Sequence, residues 1–348
     1  MNRKKATSLI GLTLLILTST VFCSTAGDFL KTIFEQYPDA VAAELKWQSA
    51  KENYNAELLK SNSKLEIMMA DLERLQAKKA FFDKKWEIVN EVFGILFELK
   101  KTGIEKNIAD IEYKMYQEDL NNKKKALDYG GVSELDVALA GIEAEKSKAK
   151  LDYYKQIESE MEEYIKETLF VSEVPELRIR IEELQPISAE EINLIKEDNL
   201  NRKIENLQMQ IEDTKYRLAQ TGMTNKYLAN VNKRSSKIHE LREEAEVKYL
   251  FYELNLAFEK VTLSVSEYNA ATEKKELYME KLEKLQKAEK EGYITTYDYY
   301  QGVLDIYEYD RSAWKAEYDL FINLLSFLQA KGENPEEVLA GYFIKPGE

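Results

Sequence analysis

Five prolines interrupt the 348 residues, and their positions leave two long proline-free blocks, 39–174 and 187–334. Proline is excluded from helix interiors, so its absence permits long continuous helices. Both blocks are also rich in Glu, Lys, Leu and Ala, which favour the helical conformation. The sequence therefore predicts that each block is almost wholly helical.

Turn signals divide each block into three helices. Ser61-Asn62-Ser63 and Gly130-Gly131 interrupt the first block, and Thr221-Gly222 and Gly292 interrupt the second. The six main helices predicted from these breaks span 39–60, 64–128, 133–168, 189–220, 224–290 and 295–331.

The second predicted helix, 64–128, shows the clearest hydrophobic period. Its apolar residues follow the 3,4 spacing of a coiled coil, broken only by Lys79. This seam contains Leu65, Met68, Leu72, Leu75, Phe82, Trp86, Val89, Phe93 and Leu96. A helix of this length reaches roughly 95 Å at about 1.5 Å per residue. It therefore needs another long helix as its partner, from the same chain or from a neighbouring subunit.

The two blocks repeat each other. Aligning Gly130 with Gly292 sets an offset of 162 residues. The same offset aligns Ser133 with Thr295 and Asp136 with Asp298. We expect an all-α, elongated, antiparallel coiled-coil bundle of two tandem helical repeats. The predicted divisions are a signal peptide at 1–26, a first repeat at 27–168, an irregular waist at 169–188, a second repeat at 189–332 and a tail at 333–348.

The first 26 residues have the pattern of a secretory signal. Basic residues at 3–5 precede an uncharged stretch at 9–22, and small residues lead to a cleavage point after Ala26. Cys23 leaves lipidation open as an alternative to plain removal. No later segment approaches 18 uninterrupted apolar residues. We therefore expect an exported protein of the cell envelope, in the periplasm or associated with the outer membrane.

Composition argues against several functions. The formal net charge of −14 disfavours nucleic acid as a partner, because phosphate binding needs a basic surface. The chain has a single histidine, His239, and a single cysteine, which leaves little basis for a metal site or for His-based or Cys-based catalysis. The carboxylates are spread along the predicted helices, as on solvent-exposed helix surfaces, and do not indicate a catalytic pair. We expect no enzyme activity, metal or cofactor.

The two glycine turns have a simple structural reading. The glycines can end one helix in the left-handed conformation, and Ser133 or Thr295 can cap the next helix in a capping box. The apolar residue in each turn, Val132 or Ile294, is expected to be exposed at the end of a charged rod, which suggests a docking surface.

These features resemble the TolC-like outer-membrane efflux proteins. The matching segments are Gln36-Tyr37-Pro38-Asp39-Ala40, Trp86-Glu87-Ile88-Val89, the two Gly-x-hydroxyl-x-x-Asp turns and Ala330-Lys331-Gly332. The resemblance spans most of residues 28–332. It implies a homotrimer whose helices form a periplasmic tunnel, and whose turns meet an adaptor subunit that works with an inner-membrane transporter.

By this resemblance the adaptor-docking tips contain Gly131, Val132, Ser133, Gly292, Ile294 and Thr295. Asp298 matches an acidic position that constricts the tunnel in some members, but Gln301 stands where a second acid is expected. The chain also departs from the family, because the places of its membrane β-hairpins hold only 61–63 and 221–223. The sequence therefore predicts a TolC-like α-barrel protomer without the β-barrel. Two functions stay open: an export component, or a structural or tethering coiled-coil rod.

Overall fold

The computed structural model describes residues 26–169, 178–179, 194–195, 199–221, 226–332, 334–336, 339 and 343–344. Its helices are α1 (Ala26–Gln36), α2 (Pro38–Lys60), α3 (Lys64–Asp128), α4 (Glu134–Thr168), α5 (Leu200–Thr221), α6 (Lys226–Lys290) and α7 (Thr296–Lys331). Two short strands, β1 (Arg178–Ile179) and β2 (Phe343–Ile344), pair antiparallel. The all-α expectation is confirmed.

The long helices confirm the predicted repeat. Helices α3 and α6 each contain 65 residues, and their first residues, Lys64 and Lys226, are separated by the predicted offset of 162. The same offset relates the starts of α2 and α5, and those of α4 and α7. Each half is therefore a three-helix unit of one design: a shorter helix, a 65-residue helix and a final helix.

The helices form a layer of four columns. Helices α2 and α4 pack along α3, while α5 and α7 pack along α6, and α3 also contacts α5 and α7. Successive helices are antiparallel because short turns join them, so α2 and α4 share one outer column and α6 forms the other. Ion pairs cross the inner boundaries, including Lys106–Glu158 between α3 and α4 and Arg311–Glu105 between α7 and α3.

The main hydrophobic core lies where the two halves meet. Phe93 of α3 stacks on Phe321 of α7 with ring centroids 4.8 Å apart, and Phe97 packs against the same ring at 5.0 Å. The Trp314 indole N–H donates to the Phe97 carbonyl at 2.9 Å. Because α3 is a central column, it buries residues outside the predicted seam as well, among them Ile88 and Val92.

Helix α1 was not among the predicted helices. Phe29, Leu30, Ile33 and Phe34 are buried in the main core together with Trp86. Their 3,4 spacing is that of an amphipathic helix. The signal peptide was predicted to end at residue 26 and the first helix to begin after Pro38, so residues 27–37 were placed in the first repeat without a helix of their own.

Two further details differ from or extend the predicted boundaries. The predicted start of the fourth helix at 189 lies outside the described residues. Helix α5 begins at Leu200, where the Asn199 side chain accepts a hydrogen bond from the Arg202 N–H at 3.0 Å. The three-residue connection at 61–63 is confirmed, with Ser63 as the N-cap of α3.

Several predictions fall outside the described residues. They include the signal peptide with Cys23, most of the predicted waist and the turn at 222–225. The domain divisions as a whole stay predictions. Within the described ranges, no helix is both long enough and apolar enough to cross a bilayer.

Candidate functional site

The first glycine turn ends α3 with a paired hydrogen-bond motif. Gly130 has φ of 72°, in the left-handed region. Its N–H donates to the Leu127 carbonyl at 2.9 Å, and the Gly131 N–H donates to the Ala126 carbonyl at 2.9 Å. This is the Schellman pattern, in which the left-handed residue lets the chain fold back and satisfy the last helical carbonyls.

The second turn repeats this geometry at the end of α6. Gly292 has φ of 75°, and its N–H donates to the Glu289 carbonyl at 3.0 Å. The next residue, Tyr293, donates to the Ala288 carbonyl at 2.8 Å. Tyr293 occupies the place of Gly131, and Glu291 that of Tyr129, so the two turns share a backbone and each carries its tyrosine on the opposite side of the left-handed glycine.

Capping boxes fix the helices that leave both turns, as the sequence predicted. The Ser133 hydroxyl accepts from the Asp136 N–H at 3.2 Å, and the Asp136 carboxylate accepts from the Ser133 N–H at 2.9 Å. In the second turn, Thr295 and Asp298 form the same pair of hydrogen bonds at 3.1 and 3.4 Å. Each cap satisfies N–H groups that an uncapped helix leaves without partners.

The two turns lie at the same end of the layer. Lys123 near the end of α3 forms an ion pair with Asp119 at 2.8 Å and interacts electrostatically with Asp136 and with Tyr297 of α7. The opposite end of the layer holds the turn between α2 and α3. The glycine turns therefore form a shared tip, as their repeated positions suggest.

The expected exposure of the apolar tip residues is wrong. Val132 and Ile294 are only partly exposed, because the chain folds back through the glycine and returns them toward the helices. The strongly exposed rings belong instead to Tyr129, which is 91% exposed, and Tyr293, which is 78% exposed. Tyrosine presents an apolar ring with a polar end, which suits an interface that also meets water.

Asp298 is exposed and committed to the capping box of α7. Its carboxylate accepts from both the hydroxyl and the N–H of Thr295. Gln301 is exposed one helical turn further along α7. Capping therefore accounts for Asp298 within the chain, and its role as a tunnel constriction stays a prediction.

Two hydrogen bonds from Ser133 hold the pKa of the Asp136 carboxyl below its ordinary value. The bond from the Ser133 hydroxyl has the larger effect, and the bond from the Ser133 N–H the smaller. Lys123 acts in the same direction. The contribution of this cap to stability is therefore present above the unfolded-state pKa, about 3.9, and is lost as the pH falls through the lower folded-state pKa.

We expect Ser133→Ala to raise the pKa of Asp136 toward the unfolded value, because the hydroxyl donor is removed while the backbone N–H stays. Titration of the Asp136 carboxyl carbon by NMR measures the change. Ser326→Ala is the control, since the Ser326 hydroxyl donates to the Ile322 carbonyl of its own helix, far from Asp136 in the chain. A Ser133→Ala titration that overlays the wild-type curve would contradict the assigned cause.

A second surface follows the outer column α6. Its buried positions, including Leu254 and Val261, face α5 and α7. On the opposite side of the same helix lies a row of exposed apolar side chains in a second heptad register. This α6 edge seam consists of Tyr252, Leu256, Leu263 and Leu277, which are between 37% and 64% exposed.

The other outer column carries a similar row. Helix α4 buries Ala140, Ala144 and Leu151 against α3. Its opposite side forms the α4 edge seam of Leu135, Leu139, Ile142, Tyr153 and Tyr164, each at least half exposed. Both outer columns thus carry a row of apolar side chains that stay largely exposed in the single chain. The seams were not predicted, because a sequence shows apolar spacing but not which helix face is already covered.

The layer resembles several solved membrane proteins. It matches a membrane protein from Pseudomonas aeruginosa with a TM-score of 0.62 and 10% identity, covering 89% of this chain and 90% of that one. It also matches the outer membrane protein VceC from Vibrio cholerae with a TM-score of 0.58 and 9% identity, over 88% and 95% of the two chains. The chain has the TolC-like fold.

The open-state MtrE outer membrane channel of Neisseria gonorrhoeae has the same fold, with a TM-score of 0.53 and 12% identity over 88% of this chain and 89% of that channel. No family profile and no curated protein matches the sequence. Among the described residues, no group of three or more His, Cys, Asp or Glu side chains is placed to hold a metal ion. Of these three matches, MtrE is an outer membrane channel. The absence of enzyme activity in the present chain stays a prediction.

Proposed function

We propose that this protein is an exported, TolC-like component of an envelope export or efflux system. Its four-column layer forms one sector of a periplasmic helical tunnel that three copies close. The observation that carries the proposal is the pair of apolar edge seams on α4 and α6, on opposite sides of the layer. Copies of such a layer can join side by side through unlike edges, with α4 of one copy against α6 of the next.

The edges support a closed ring rather than a paired rod. A two-fold contact would place a seam against its own copy and leave the other seam exposed. Heterologous contacts between unlike edges bury both seams in every copy when the ring closes. The fold shared with the outer membrane channel MtrE supports the proposal that the closed ring is a conduit.

At the tip, the proposed role of the glycine turns is to dock an adaptor subunit, which in turn meets an inner-membrane transporter. The docking surface includes Gly131, Val132 and Ser133 in the first turn, and Gly292, Ile294 and Thr295 in the second. Tyr129 and Tyr293 extend it with exposed rings. Large aromatic side chains on a rigid support are favoured anchors in protein interfaces.

We expect Tyr129→Asp combined with Tyr293→Asp to abolish adaptor binding, because each change places a charge in a contact that must lose water. The measurement uses a photo-cross-linking residue in place of Val132 in the native host, with mass spectrometry of the product. Tyr129→Phe with Tyr293→Phe is the matched control and should retain the product, since both rings stay.

A structural or tethering rod is the alternative function. It shares the helices, caps and turns, but it does not need a partner at the tip. Recovery of no adaptor from the wild-type protein, or equal products from the Asp and Phe variants, would favour the rod and reject the docking role.

A further inference from the structure

The third column of the layer contains two helices whose ends meet. Helix α7 ends at Lys331 and α5 begins at Leu200, and both pack between the long helices α3 and α6. A cleft of about 540 Å³ opens at this junction, and the described residues that line it come from all four helices. The volume is that of a small-molecule site.

The internal repeat provides a reference for the cleft, because α4 and α2 meet in the same way in the first half. There Tyr37 lies at the junction and donates its hydroxyl hydrogen bond to Glu91 of α3 at 3.1 Å. Tyr164, from the last turns of α4, interacts electrostatically with Tyr37. The junction of the first half is therefore occupied by tyrosine side chains from both helix ends.

The repeat offset of 162 residues identifies what differs in the second half. Asn199 stands at the position of Tyr37, and Ser326 stands at the position of Tyr164. Both residues line the cleft. Short polar side chains in place of two phenol rings leave open the space that the rings occupy in the first half.

The second half also lacks the cation of the first. Lys84 pairs with Asp39 at 3.2 Å and with Glu87 at 2.9 Å. The counterpart of Lys84 is Glu246, an acid that lines the cleft together with Glu253. The second half therefore has carboxylates at the junction without the lysine that neutralises them in the first half.

Glu246 and Glu253 lie seven residues apart on α6, which is about two helical turns, and both are partly buried. Within the described part of the chain, neither carboxylate has a hydrogen bond or an ion pair. Lys79 also lines the cleft, but it pairs with Asp83 at 2.6 Å. A cation from outside the chain would supply the charge-assisted hydrogen bonds that the two glutamates lack.

Aromatic side chains complete the cleft. Phe82 and Trp86 of α3 line one side, and Tyr249 lies between the two glutamates along α6. An ammonium group is attracted both to carboxylates and to the faces of aromatic rings. The amide side chains of Asn199 and Gln329 add hydrogen-bonding groups at the two helix ends.

We propose that this cleft binds a small protonated amine that carries an aromatic body. The ammonium group takes the place that Lys84 has in the first half, beside Glu246 and Glu253, and the aromatic body fills the space of the missing tyrosine rings. The inference goes beyond the export role and does not rest on it, because the cleft is contained in a single chain.

Three probes of similar shape test the proposal by isothermal titration calorimetry and saturation-transfer NMR on the full chain. Phenethylamine carries the ammonium group, 2-phenylethanol is neutral and 3-phenylpropionate is anionic. We expect phenethylamine to bind at least about tenfold more tightly than either analogue, the effect of one charge-assisted hydrogen bond. Glu246→Gln with Glu253→Gln should weaken phenethylamine binding by about tenfold or more and remove the preference for the amine.

The repeat supplies a second variant. Asn199→Tyr with Ser326→Tyr restores the first-half residues, fills the cleft and should abolish binding, while circular dichroism melts verify folding. The matched control is Glu244→Gln with Glu273→Gln, which makes the same charge change at exposed positions of α6 outside the cleft. The control should bind phenethylamine as the wild type does.

Three outcomes would overturn the proposal: no binding of phenethylamine at millimolar concentration, equal binding of the three probes, or equal losses in the cleft and control glutamate variants. The glutamate variants decide the matter even if the tyrosine variant does not fold. None of these outcomes bears on the ring or on the glycine turns, so failure of this inference is distinct from failure of the export role.

Discussion

Phe321→Ala is expected to destabilise the folded chain by about 3–5 kcal/mol, the cost of removing a fully buried phenylalanine. Phe321 has 0% exposure and packs against both Phe93 and Phe97 of α3. Truncation removes the ring contacts and leaves a cavity where the two halves of the layer join. The neighbours cannot collapse into it easily, because they are held on two long, rigid helices.

Urea unfolding followed by circular dichroism measures this loss. The matched control is Phe251→Ala, which removes the same side chain from a position that is 50% exposed on α6. Exposed positions of this kind change stability by about 0.5 kcal/mol or less. Equal destabilisation by both substitutions would contradict the placement of the core between α3 and α7.

Leu256→Glu combined with Leu263→Glu is expected to convert the assembled protein to single chains. In the proposed ring these leucines lie against α4 of the neighbouring copy, and an unpaired carboxylate there must lose its water. Both positions are exposed in the single chain, at 37% and 61%, so the fold itself should survive. Light scattering distinguishes the 40.5 kDa chain from its assembly.

Leu256→Met with Leu263→Met keeps an apolar seam of similar volume and should remain assembled. A reciprocal change at the other edge, Ile142→Glu on α4, should have the same dissociating effect as the glutamates on α6. A wild-type protein that runs as a single chain at all concentrations would reject the ring and favour the rod.

Local signals explain why the sequence predicted so much of the helical layout. The ends of α3 depend on Ser63 and on Gly130-Gly131, whose capping and left-handed conformations are properties of a few adjacent residues. The repeat offset then carried these boundaries to α6, including the turn at Gly292. Helix ends set by local hydrogen bonds are accessible from sequence because no distant contact is needed to specify them.

Other features depend on contacts that the sequence does not display. The prediction that Val132 and Ile294 are exposed was wrong because it treated each turn alone and left out the chain that folds back after the glycine. The two edge seams were missed because α6 has apolar residues on two faces, and only the packed structure shows that Leu254 faces inward while Leu256 faces outward. The strand pair between 178–179 and 343–344 was not predicted either, because its two strands lie far apart in the chain.

The equal lengths of α3 and α6 place a limit on how this protein can change in evolution. Both helices run the length of the layer, with the column of α5 and α7 between them, and both end at the tip. A seven-residue insertion in α3 alone would therefore displace one turn from the other by about 10 Å. The partner helix α4 would lose its register as well. Insertions and deletions in the long helices therefore have to occur in matched sets, in both halves and in both arms of each hairpin, whereas single substitutions can accumulate independently.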